Sequence, residues 1–170
     1  MNAEQATFLT EYFAGLIQQE SATTAKVLAA VPDSGRDYKP DEKSRTAWQL
    51  TTHLALADVW FLQSILDGKF VWDQAAVDQA EAGFKTVGDV VAFYKREVPL
   101  RIQALRALPP ESLTRTVDFF GMIQQPGAAF LGLANNHGIH HRGQLASYLR
   151  AMGSKVPAIY GGSADEPMGT

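Results

Sequence analysis

The chain has 170 residues, 46% of them hydrophobic and 19% charged, which is enough apolar material for one globular domain, 1–170, and too much for a disordered segment. Lys and Arg number 15 against 18 Asp and Glu, for a net charge of −3, and no basic stripe gathers along the sequence, so nucleic acid is not an expected partner. Cysteine is absent, which removes disulfides, thiolate metal ligands and a cysteine nucleophile.

The first segment, MNAEQATFLTEYFAGL, carries Glu4 and Glu11 and lacks a basic n-region, so it is not expected to be a signal peptide. No apolar run approaches the ~20 residues of a membrane helix. The expected location is the cytoplasm, with no membrane partner. Helical periodicity begins at once and covers residues 3–30, where Phe8, Leu9, Tyr12, Phe13, Leu16, Ile17, Val27 and Leu28 recur on a broad face. Pro32, Asp33, Ser34 and Gly35 break it.

A second helix is predicted over 44–66. Leu50, Leu54, Ala57, Phe61 and Ile65 form its stripe, His53, Leu56 and Trp60 lie beside that stripe, and Asp67 with Gly68 closes it. The connection 69–85 contains Phe70, Trp72 and Phe84 and reads as a loop packed over something, a length often found at functional sites. Thr86 and Asp89 form a capping box for a third helix bearing Val90, Val91, Tyr94, Val98, Ile102 and Leu105. Pro99 predicts a kink in it, and Pro109 with Pro110 ends it. Residues 114–120 read as extended but cannot make a sheet alone. A fourth helix spans 127–152 and stops at Gly153, with Phe130, Ala134, His137, His141, Leu145 and Tyr148 on or near one face.

Four long helices without a sustained strand pattern predict an all-α fold, a four-helix bundle with long connections. Those connections, about 13, 19 and 17 residues, exceed the ~2–8 usual between bundle helices.

The chemistry lies in the histidines, of which there are four. His137 and His141 are four residues apart, so on a helix they project about 40° apart from one face, one above the other. That is how two imidazoles grip one metal ion. His53 supplies a third ligand if the second and fourth helices pack together. Neutral imidazole suits divalent zinc, nickel, copper or iron, and three histidines without a fourth protein ligand leave a position open to water or substrate. An ion so held lowers the pKa of bound water towards ~7 or favours the thiolate of a thiol substrate. The competing reading is that each histidine is a partly buried, hydrogen-bonded residue, since H-x-x-x-H pairs recur on helices by accident.

His140 projects about 60° from His137 on the side away from His141, which fits a pocket lining or surface role better than a ligand. Gln144 lies close to the direction of His137, placed to hydrogen-bond His141 or face a cavity, or else serving only as a polar residue at the helix boundary. Gly138 follows His137, so the glutamate of H-E-x-x-H is missing. There is no P-loop, G-x-G-x-x-G or G-x-S-x-G, and no paired Glu-x-x-His motif of a di-iron bundle. Trp48, Trp60 and Phe61 read as core, Trp60 being the one placed to line a pocket wall.

Two stretches carry a family likeness. DYKPDEKSRTAWQLTTHLALADVWF leads into the helix with His53, and NNHGIHHRGQLASYLRAMGSKVPAIYG contains H-x-x-x-H-R-G-Q-L followed by YLR-x-x-G and VP. Together they resemble the DinB-like (DinB/YfiT) family of bacterial metal-binding helical bundles, which is unrelated to the DNA polymerase of the same name. The resemblance implies a four-helix bundle with His53, His137 and His141 as metal ligands, zinc or nickel as the ion, and a homodimer. Some members use the metal to activate a low-molecular-weight thiol, mycothiol or bacillithiol, and transfer it to an electrophile, while others are stress- or damage-associated. The expected function is therefore a metal-dependent enzyme acting on a small-molecule substrate or thiol, of thiol S-transferase or hydrolase type. The alternative is a non-catalytic metal-binding stress protein. Arg45 and Arg142 flank the ligand helices and read as surface ion pairs, or else as partners for a thiol cofactor's carboxylates.

Overall fold

The computed structural model describes residues 1–168. Six α-helices occur in it: α1 (Ala3–Ala29), α2 (Ala47–Asp67), α3 (Gln74–Gly83), α4 (Val87–Ala107), α5 (Pro110–Thr114) and α6 (Phe130–Leu149). Strands β1 (Thr116–Phe119) and β2 (Ile123–Pro126) pair antiparallel between α5 and α6. The fold is all-α, and α1, α2, α4 and α6 make the expected bundle.

The long connections follow from how those helices are arranged. α1 packs against α4 and α6, and α2 packs against the same two, so α1 and α2 occupy opposite corners. The chain must cross the bundle end to pass from α1 to α2, and again from α4 to α6. Short turns cannot do that.

Local chemistry sets the helix ends. Asn2 and Gln5 cap α1 reciprocally, Thr46 and Gln49 start α2, and Thr86 and Asp89 start α4. The box at Thr46 moves the start of α2 to Ala47 from the expected 44. Gly68 closes α2 at φ 67°, the left-handed conformation that glycine adopts without strain. α4 continues as one helix through Pro99, whose side faces solvent, where the carbonyl it leaves unpaired meets water.

Three expectations need correction. The 69–85 connection contains α3, capped by Asp73, whose carboxylate accepts from the Ala76 amide at 3.1 Å. None of its residues is fully buried, so it shows no apolar stripe. The 114–120 segment is extended as expected over Thr116–Phe119, and the strand it needed, not foreseen, is β2, with register Thr116↔Pro126 to Phe119↔Ile123. The last helix begins at Phe130, after a 3₁₀ turn over Gly127–Ala129, and ends at Leu149.

The core is a single cluster in which Leu28, Leu54, Leu62, Phe130, Leu131 and Leu145 are buried. Each such side chain contributes about 1.5–3 kcal/mol by leaving water. Two polar ties cross it. Arg142 of α6, 1% exposed, ion-pairs with Glu20 of α1 and also donates to the Glu20 carbonyl at 3.2 Å and the Tyr160 hydroxyl at 2.7 Å. It is therefore not the surface ion pair expected. In the second tie, the Tyr94 hydroxyl of α4 donates to Asp58 Oδ2 of α2 at 2.8 Å.

Asp58 Oδ1 is out of solvent contact and has no hydrogen-bond partner. Removal from water pushes the Asp58 carboxyl up from 3.8 to about 7, opposed by the Tyr94 hydrogen bond and the Arg142 charge. The folded chain thus holds this proton more tightly than the unfolded chain. Its contribution to stability is fully present near pH 4 and is lost as pH rises through about 7. Asp58→Asn keeps an acceptor for Tyr94 and never ionises. Denaturant unfolding should show it gaining about 1–3 kcal/mol on the parent between about pH 5 and about pH 8. An unchanged difference across that range would contradict this reading.

Candidate metal centre

His53 enters from the second turn of α2, and His137 and His141 from successive turns of α6. Because α2 and α6 pack directly, one nitrogen of each ring comes within 4.8 Å of the others. His53 Nε2 and His141 Nε2 lie 3.2 Å apart. The ring centroids are 4.4 Å apart for His137 and His141, 4.6 Å for His53 and His141 and 5.3 Å for His53 and His137. A tetrahedral zinc with bonds of ~2.0–2.1 Å spaces its nitrogens by about 3.3 Å, so the pair is already at ligating distance. His137 Nδ1 is sealed from solvent without a hydrogen-bond partner. His53 and His141 can share a hydrogen bond but His137 Nδ1 has none, and the cluster could hold a metal ion.

The electrostatics favour the ligating form. Loss of water, helped by the Arg45 charge and His141, lowers His53 to about 4. Loss of water, then His141 and His53, lowers His137 to about 3. His141 is lowered too, mainly by loss of water. All three are neutral at pH 7, with lone pairs free for a cation. Gln144 Oε1 lies 2.7 Å from His141 Nδ1, an acceptor that puts the proton on Nδ1 and leaves Nε2 bare. His140 is exposed, its ring 4.9 Å from His141, and it stays outside the donor trio.

Gly138, beside His137, decides how close the two ligand helices come. A Cβ there would stand 2.9 Å from Asp58 Oδ1 and 3.1 Å from Oδ2. Asp58 is short and tied to Tyr94, so it has little room to yield.

An aromatic wall encloses the His53 side. Phe61 packs 5.0 Å from His137. Trp60 lines a cavity of ≈ 30 Å³ with His53, Trp72 and Glu81. It donates from Nε1 to the Val71 carbonyl at 2.8 Å and stacks on Phe120 at 6.3 Å. Phe120 adopts φ 54°, strained for an aromatic residue by about 1–3 kcal/mol, and the hairpin holds it over Trp60. Sequence reasoning missed Asp58, Glu81, Trp72 and Phe120 as neighbours of the site. Asp73, a helix cap before an Ala-, Gln- and Glu-rich run, was the available signal for α3.

Fold and cluster together define a helical bundle with a three-histidine pocket. The chain belongs to the DinB family, which it matches over residues 4–168. It is 32% identical over 126 residues to the uncharacterized protein YjoA of Bacillus subtilis (strain 168), covering 72% of this chain and 77% of that one. The crystal structure of that DinB-like protein from Bacillus subtilis has a TM-score of 0.67 at 28% identity, covering 87% of this chain and 96% of its own. A DinB-like protein from Bacillus cereus ATCC 10987 gives 0.68 at 24%, covering 86% and 96%. The mycothiol-dependent maleylpyruvate isomerase shares the fold, with a TM-score of 0.56 at 12% identity over 85% of this chain and 61% of that one.

Gly138→Ala should force α6 away from α2 and separate His53 from His137 and His141. Circular dichroism should still show a helical chain, while zinc affinity measured with a competing chelator falls about tenfold or more. Unchanged affinity would mean that the helix spacing does not govern the site.

Proposed function

We propose that the chain is a divalent-metal-dependent enzyme of the cytoplasm, with His53, His137 and His141 as the ligands and a low-molecular-weight thiol as co-substrate. The observation that carries this is the convergence of three imidazole nitrogens within 4.8 Å, with no carboxylate in the donor cluster among the described residues. Three protein ligands leave one position for substrate, the arrangement of catalytic and not structural zinc sites. Zinc or nickel suits an all-imidazole set. Bound there, the ion supplies Lewis acidity that favours a thiolate over a thiol.

The chain's own residues do the remaining work. Gln144 holds the His141 tautomer, and Trp60 and Trp72 wall the cavity on the His53 side. The Arg45 charge acts on all three imidazoles, opposing their protonation. The fold shared with a mycothiol-dependent isomerase supports thiol transfer to an electrophile over simple hydrolysis. No helix of the described residues is long and apolar enough to cross a membrane. A homodimer would cover the exposed Phe8 and Tyr12, which stack on each other along α1.

The test is elemental analysis of untagged protein beside His53→Ala, His137→Ala and His141→Ala. The parent should carry about one equivalent of zinc or nickel, lost in each variant. No uptake after loading, or full occupancy in any variant, would overturn the ligand set. A loaded parent that takes up neither thiol nor electrophile would be the non-catalytic stress protein instead.

A further inference from the structure

α3 has no fully buried residue, but Val77, Ala80 and Glu81 form a half-buried face turned toward α2. Glu81 Oε1 accepts from the Thr52 hydroxyl at 2.9 Å, and Thr52, fully buried, is the residue before His53. Glu81 forms no ion pair among the described residues and lies outside the histidine donor cluster. It is the one acidic residue lining the ≈ 30 Å³ cavity beside His53.

Two indoles, Trp60 and Trp72, wall that cavity at 5.5 Å and 79° to each other. Both spend their N–H groups elsewhere: Trp60 donates to the Val71 carbonyl, and Trp72 donates to Gln74 Oε1 at 3.0 Å. The cavity therefore meets electron-rich rings and a carboxylate, and Leu56, Ala57 and Val77 add no polar side chain. Rings and carboxylate both attract a cation.

We propose that Glu81, Trp60 and Trp72 form a subsite for a primary ammonium group, so that the thiol taken at the histidine centre is an aminothiol. The inference rests on the metal–thiol reading above. Glu81 is a specificity residue in this scheme: it binds the ammonium end of a thiol held at the histidine centre.

Cobalt(II)-loaded protein tests this, because thiolate ligation to cobalt gives a charge-transfer absorption that can be titrated. Cysteamine, 2-mercaptoethanol and 3-mercaptopropionate would be added to the parent and to Glu81→Gln, which keeps an acceptor for Thr52. In the parent, cysteamine should bind about tenfold or more tightly than 2-mercaptoethanol, with 3-mercaptopropionate weakest. In Glu81→Gln that preference should fall to about twofold or less, with 2-mercaptoethanol affinity unchanged. A preference that survives in Glu81→Gln would put the amine on the metal and overturn the subsite. So would equal weakening of all three thiols, which would show Glu81 acting on the sulfur. A thiolate band without any preference sinks the subsite alone, whereas no band with any thiol sinks the metal–thiol reading and the subsite with it.

Discussion

The approach of α6 to α2 at Gly138 governs everything at the centre, because it sets the distance from His53 to the two histidines of the last helix. A missing side chain makes that approach available: Asp58 fills the space that a Cβ would need. The same helix is fixed on its other side. Gly132 lies against Phe13 of α1, where a Cβ would stand 3.1 Å from the ring, and Arg142 is bound to Glu20. α6 is thus located against both neighbours by two close backbone contacts and one buried ion pair. Losing either partner of such a pair leaves a buried charge and costs about 3–5 kcal/mol.

The centre is an electrostatic compromise. Gathering three imidazoles in a half-buried pocket makes their protonated forms unfavourable, which is why all three are held below the ordinary histidine range. Acid works against the fold here: protons taken up by the unfolded chain below about pH 6.5 are refused by the folded one. A cation held by the neutral imidazoles would bind the folded chain and not the unfolded one, so ion binding and stability are linked. Asp58 applies the opposite bias from within the same helix, since it favours its own proton. Tyr94 and Arg142 moderate it, tying α2 to α4 and placing the charge of α6 within reach.

Much of this was legible from periodicity and caps. The limits of α1, α2, α4 and α6 were read to within a few residues, and the box at Thr86 and the glycine at Gly68 stood where they were expected, but Phe8 and Tyr12, placed on the apolar face of α1, are exposed, and small residues such as Ala6 and Ala14 are buried instead. The four-residue spacing of His137 and His141 put both on one face, and of the roles open to Gln144, partner of His141, cavity lining or boundary polar residue, the first is the one seen. The rest depended on long-range packing. α3 carries no buried residue and so no stripe, and β1 needed a partner strand whose exposed IQQP sequence has no alternation to reveal it. Asp58, Tyr94 and Gly138 meet from three different helices, and no local pattern marks them. Arg142 looked like a surface charge because nothing near it in sequence shows that Glu20, 122 residues away, comes to meet it.

X-ray absorption at the zinc edge of the reconstituted protein tests most directly whether three imidazoles share one ion. The expected spectrum has about three nitrogen neighbours at ~2.0–2.1 Å with the outer-shell scattering of imidazole rings, and one further light atom at the open position. A shell of six oxygens, or scattering from fewer than two imidazoles, would contradict the centre formed by His53, His137 and His141.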